Sequence, residues 1–210
     1  MDLNAADIEV VLTDPDRAAE KIDRFCKTYK DCFCLQLEDH VKKSSVDLLL
    51  ELIASVQGLF SDNYVNVAHL ALNALRIFSR DPYCTLVLST ASFVTVVFSY
   101  TGVGSTAIND KISLEACRVL LNVLYQANMA QVIFIEQEKV KAIIEFFLRP
   151  AFLTSCCYDV QTYLLKILYL LLALHEAARM QAMSVGALFG IVQLIITIQE
   201  TGRNLVCYCL

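Results

Sequence analysis

The chain has 210 residues, of which 57% are apolar, with a formal net charge of −5 and a mean hydropathy of +0.54. That apolar content excludes global disorder, and the acidic balance argues against a nucleic-acid partner, which requires clustered Lys and Arg. Six Gly and three Pro supply too few turns for a sheet-rich fold of this length, so long helices joined by short polar loops are expected.

The first helix is signalled by Asp14-Pro15, a capping residue followed by a first-turn proline, and is expected to reach about Lys30. Ile22, Phe25, Cys26 and Tyr29 share one face at i, i+3, i+4 and i+7. After a break over Asp31–Gln36, a second helix is expected over Glu38–Val56, with Val46, Leu49, Leu50 and Ile53 as its inner stripe. Its basic pair Lys42–Lys43 reads as part of a solvated face. Gly58 stands past its end, as a C-terminal glycine does. Asp62 or Asn63 then caps a helix reaching about Arg80, which Asp81-Pro82 stops. Residues 82–109 carry no charged side chain, and Leu86–Tyr100 is strongly apolar. Serines, threonines and Gly102/Gly104 interrupt the stretch, so two short buried helices are expected; a membrane span using 86–108 is the alternative.

Three windows then align without gaps: Ala74-Leu75-Arg76-Ile77-Phe78-Ser79-Arg80, Leu120-Leu121-Asn122-Val123-Leu124-Tyr125-Gln126 and Leu168-Tyr169-Leu170-Leu171-Leu172-Ala173-Leu174. They are offset by 46 and then 48 residues. Each is followed by a polar break, a short helix and a second apolar helix: Phe93–Tyr100, Val140–Leu148 and Leu188–Ile198. A period near this length belongs to armadillo and HEAT arrays, in which each repeat buries its apolar faces on its neighbours. The expected fold is therefore all-α, an armadillo/HEAT-like right-handed superhelical solenoid. One array of about four repeats is expected over residues 1–210. Arg76 and Asn122 occupy one repeat position, and Arg80 and Gln126 lie one turn further on. Stacked polar side chains of this kind form a ladder along a groove; two solvated arginines behind a capped helix are the competing reading.

At these same residues the chain resembles the synembryn family, cytosolic chaperones and nucleotide exchange factors of heterotrimeric G-protein α subunits. The resemblance lies in Leu75-Arg76-Ile77-Phe78-Ser79-Arg80-Asp81, in Cys117-Arg118-Val119-Leu120-Leu121-Asn122-Val123-Leu124, and in Tyr158-Asp159-Val160-Gln161 leading into Leu164–Leu174. It covers residues 20–198. It implies that the partner is a Gα subunit, whose C-terminal helix lies in the groove. Arg76 and Arg80 would hold that helix's carboxylate and backbone, Asn122 would hydrogen-bond the peptide, Gln126 would extend the ladder, and Tyr163 stands where the family has an aromatic residue against the helix. Arginine suits this work because its planar fork binds a carboxylate at two points. Exchange would then follow from preferring the nucleotide-free conformation. Location in the cytoplasm, with recruitment to the cell cortex, is the corresponding expectation. The resemblance departs at the end of the chain: Gln181–Leu210 carries only Glu200 and Arg203 as charges, unlike a solenoid cap. A truncated array, or self-association through this end, is expected from that. Helix binding is the expectation kept, with full exchange activity left open and a generic armadillo adaptor as the alternative.

Covalent chemistry is not expected, and neither is a cofactor. Gly102-Val103-Gly104-Ser105 lacks the lysine of a phosphate loop. The nine cysteines form CxC and CC spacings but no CxxC pair; with Met1-Asp2-Leu3-Asn4 showing no apolar leader, free thiols in a reducing compartment are expected and metal is not. Cys156-Cys157 reads as buried structure rather than a thiol site. His69 and His175 read as packing residues, and Glu136, Glu138 and Glu145 among Lys139 and Lys141 as a solvated face.

Overall fold

The structure, a computed structural model, describes residues 14–59, 61–104, 109–149 and 157–186. Among these residues it is all-helical. Helix α1 (Pro15–Tyr29) starts where Asp14 Oδ1 accepts the Arg17 N–H at 3.1 Å, and it buries Ala18, Ala19, Ile22, Phe25 and Cys26. Helix α2 (Asp39–Ser55) buries Val46, Leu49, Leu52 and Ile53. Gly58 follows at φ +83°, and a Cβ there would meet nothing within 4 Å. Its requirement is thus conformational, the left-handed backbone that ends a helix.

Helix α3 (Asp62–Phe78) is preceded by Ser61 rather than capped by Asp62 or Asn63. It also ends sooner than its pattern suggests: Ser79 is the cap and Arg80 lies in the turn beyond. The cause is the next helix, α4 (Pro82–Leu88). Asp81 is extended before the proline, and its carboxylate accepts the N–H groups of Tyr83 and Cys84 at 3.1 and 3.3 Å. A residue before proline is kept out of the α region, so one helix cannot run into the other. Thr90 caps α5 (Ala91–Ser99) by accepting the Phe93 N–H. There follow α6 (Asp110–Gln126), α7 (Asn128–Glu136), α8 (Lys139–Phe147), α9 (Tyr158–Leu174) and α10 (Glu176–Ser184).

The repeat read from the sequence reappears as α3-α4-α5 and α6-α7-α8, a long helix followed by two short ones, with α9-α10 opening a third copy. The expected helix Leu188–Ile198 and the segment Asn204–Leu210 lie outside the described residues. The long helices pack in a row: α1 on α3, α3 on α6, α6 on α9. Helix α2 closes the first repeat against α3, α4 and α5. Leu72, Leu75 and Phe78 of α3 and Leu120 and Val123 of α6 are sealed in one core, which Leu164, Ile167 and Leu171 of α9 extend. Phe78 stacks on Phe25 at 5.1 Å between centroids, and Phe98 meets Phe134 edge-on at 5.6 Å. Helices α4 and α5 are bent by 86° at their break, and among the described residues no single helix is long and apolar enough to cross a membrane. Their apolar side chains Leu88, Phe93, Val94 and Val97 belong to the core.

One expectation is overturned. Lys42 is not on a solvated face; it is 6% exposed, and its Nζ donates to Asp81 Oδ2 at 3.0 Å. Only Lys43 points to water. Adjacent helical residues face different ways, so a basic doublet can hold one buried and one solvated member. The same Asp81 oxygen accepts the Leu35 N–H at 3.0 Å, which ties the loop between α1 and α2 to the start of α4. Burial alone would raise the Asp81 pKa, but the Lys42 hydrogen bond and the N–H groups of Leu35 and Cys84 outweigh it and hold the carboxyl below its ordinary value. Burial alone would lower Lys42; the bond to Asp81 raises it instead.

Candidate functional site: an arginine-rich pocket

The row of long helices leaves a pocket of about 630 Å³ lined by Phe33, Arg76, Arg80, Arg118, Asn122, Gln126 and Tyr163. Three elements supply the repeat positions: α3 and the turn after it (Arg76, Arg80), α6 (Arg118, Asn122, Gln126) and α9 (Tyr163). Spacing within α6 explains the grouping there. Positions 118, 122 and 126 follow one another at i+4 and so form one stripe.

Each arginine is partly engaged. Arg76 donates through Nε to Glu115 Oε2 at 2.8 Å and through Nη2 to Asn73 Oδ1 at 2.8 Å. Its Nη1 meets no protein partner among the described residues. Arg80 donates through Nη1 to the Lys30 carbonyl at 2.6 Å and lies over the Phe33 ring, 5.6 Å from its centroid. Arg118 donates to Glu115 Oε1 at 2.6 Å and lies 5.5 Å from the centroid of Tyr163. Burial, and then the neighbouring Arg76 charge, pull the Arg80 pKa down. Burial pulls on Arg118 too, but hydrogen bonds to Glu115 and Tyr163 outweigh it and leave its pKa raised. Arg76 and Arg118 thus share one buried carboxylate while Arg80 has none of its own, which leaves the pocket positive inside an acidic protein. Such a recess attracts anions and favours a planar carboxylate.

The amides stand beside them. Asn122 Nδ2 donates to Ser79 Oγ at 3.0 Å, and Gln126 Nε2 donates to the Ser79 carbonyl at 2.8 Å and to the Asn122 carbonyl at 3.1 Å. Of these acceptors the Ser79 carbonyl belongs to the end of α3, where helix carbonyls lack intrahelical partners. The acceptor oxygens of both amides receive no hydrogen bond among the described residues, so the donors are used within the protein and the acceptors remain for an incoming N–H.

All five residues singled out by the repeat and the resemblance, Arg76, Arg80, Asn122, Gln126 and Tyr163, therefore meet in one pocket. Two further lining residues, Phe33 and Arg118, were not singled out. Arg118 carried a signal: it precedes Asn122 by one helical turn. Phe33 carried none, because it arrives from the irregular loop between α1 and α2. Glu115, which organises two of the arginines, was also passed over.

The remaining candidates are structural. Burial pushes the Cys26 and Cys84 thiols up to about 12, with Asp23 and Asp81 adding to it respectively, which disfavours the nucleophilic thiolate. Cys156 lies outside the described residues. His175 Nε2 is 2.6 Å from Gln131 Oε1, as expected of a packing histidine. Burial lowers His69, which is half-buried on α3. Glu138 lies 3.7 Å from Lys141 on an exposed turn.

Fold and pocket together define an all-helical protein with an anion-attracting recess between neighbouring repeats. This chain belongs to the guanine nucleotide exchange factor synembryn family, whose model matches residues 71–201. The match takes in every pocket residue except Phe33; α1 and α2 lie outside it. No curated protein matches the chain.

Proposed function

We propose that the chain binds the C-terminal helix of a heterotrimeric G-protein α subunit in this pocket, as a chaperone and guanine nucleotide exchange factor. The carrying observation is the convergence of Arg76, Arg80 and Arg118 on one pocket with a single carboxylate among them. A terminal carboxylate would bind the guanidinium groups, and side-chain N–H or O–H groups of the helix would find the oxygens of Asn122 and Gln126, since its last backbone N–H groups are bonded within the helix. Tyr163 and Phe33 offer aromatic surface for apolar side chains, in the manner of helix-in-groove recognition. The family membership and the stacking of α1, α3, α6 and α9 support an armadillo-like solenoid as the frame. No covalent step is needed: a protein that prefers the nucleotide-free conformation weakens nucleotide binding by the same factor.

The test uses a synthetic peptide from a Gα C-terminus, offered as free acid and as amide, with titration calorimetry against the full chain. The free acid is expected to bind, the amide to bind more weakly, and Arg76→Ala to lose most of the affinity. GDP release from purified Gα, with and without the chain, reads the exchange activity separately. Equal binding of acid and amide by the parent chain would favour a generic helical adaptor instead.

A further inference from the structure

Glu115 sits beneath the pocket, 7% exposed, and holds two of the three arginines at once. Oε2 takes Arg76 from α3 and Oε1 takes Arg118 from its own helix α6, at 2.8 and 2.6 Å. The fork therefore spans two repeats. Both arginines stay partly open to solvent while the carboxylate does not. Arg76 is engaged through Nε and Nη2, so Nη1 remains for a ligand. Glu115 and an incoming carboxylate would thus use different edges of the same guanidinium. The buried acid does not compete for the ligand's place; it fixes the group that makes it.

We infer that Glu115 is the positioning residue that makes this pocket selective for a terminal carboxylate. Flexible arginines would have to be ordered on binding, and that cost falls when they are ordered beforehand. One carboxylate against three guanidinium groups also leaves the site positive, so the ligand's anion is still attracted. The inference rests on the reading of the pocket given above.

The full chain and its Glu115→Gln, Glu115→Asp and Arg76→Ala variants are titrated with the Gα peptide as free acid and as amide, with circular dichroism as the folding control. The parent is expected to prefer the acid by about tenfold or more, and both Glu115 variants to reduce that preference below about threefold, mainly by weakening the acid. Glu115→Asp keeps the charge but shortens the reach, so its loss separates placement from charge. A parent-like preference in either folded variant, or tighter acid binding by Glu115→Gln, overturns the inference. The reading of the pocket fails differently: the parent shows no preference, or Arg76→Ala binds as the parent does. Where both Glu115 variants unfold, the free parent chain decides. The Arg76 Nε–H held by Glu115 should give a resolved, slowly exchanging NMR signal before peptide is added, and its absence overturns the inference.

Discussion

Two ion clusters join neighbouring helices of this protein, and they are built to opposite ends. At Asp81 every approach is filled: Lys42, the Leu35 N–H, and the Tyr83 and Cys84 N–H groups all donate to one carboxylate that is 1% exposed. At Glu115 the carboxylate is filled but its cationic partners are not, and they open into the pocket. The first cluster sets Lys42 against Asp81, with Asp39 3.8 Å from the same ammonium, and has no cation in excess. The second has an excess of donors of one sign. Donors held in place, partly desolvated and left without a full set of acceptors are what a binding site consists of, and the Asp81 cluster shows what the same chemistry looks like when it serves only the fold.

The largest expected effect lies at the closed cluster. Asp81→Ala leaves the buried Lys42 with only the exposed Asp39, 3.8 Å away, as a counter-charge and three N–H groups without that acceptor, and it should destabilise the chain by about 3–5 kcal/mol in urea denaturation. Lys42→Met should cost less, because the carboxylate keeps its three N–H donors. An equal loss in both variants would mean that the ion pair, not the cap and the loop anchor, dominates. The pair also has a pH signature. The Asp81 pKa is lowered on folding, so its contribution is present above the ordinary carboxylate range and is lost as pH falls through the folded value. The Lys42 pKa is raised from 10.5, so its contribution is present below that value and is lost as pH rises past the folded one. Stability attributable to the pair should therefore be flat between about pH 5 and pH 9 in the parent-versus-variant difference.

Effects on binding come next, at the open cluster. Arg76→Ala removes a charged hydrogen-bonding group worth about 1.5–3 kcal/mol, so Kd for the Gα peptide should rise about 10–100-fold. Phe33→Ala should do less. The ring is 74% exposed and holds no core contact of note, so stability should move by less than about 0.5 kcal/mol. Affinity should still fall, by several-fold, because Phe33 forms one wall of the pocket and lies against Arg80. Calorimetry beside a thermal melt separates the two. A stability loss as large as the binding loss would place Phe33 with the fold rather than with the pocket.

The difference between the clusters also explains what was legible in the sequence. The windows at 74–80, 120–126 and 168–174 revealed the stacked helices because packing against a neighbour repeats itself and so leaves a period. The pocket was legible through the same period, since Arg76, Asn122 and their followers recur in register. What does not recur was hidden. Lys42 and Asp81 are 39 residues apart with no echo elsewhere, so a buried lysine passed for a solvated one. Glu115 aligns with His69 and Tyr163, residues of unlike chemistry, so the repeat gave no reason to expect an acid there. Phe33 comes from an irregular loop, where no period exists to read.

The smallest expected effect is the sharpest control on the face assignment. Tyr125 is 75% exposed and precedes Gln126 in the chain, yet it does not line the pocket. One residue along a helix turns the side chain by about 100°, so Tyr125 and Gln126 look in different directions from the same turn. Tyr125→Ser should therefore change neither stability, beyond about 0.5 kcal/mol, nor peptide affinity, while Gln126→Ala lowers affinity by a few-fold through the lost acceptor and its weakened hold on Ser79. If the tyrosine proved the more sensitive of the two, the peptide would be lying on the neighbouring face of α6, away from Arg76 and Arg80.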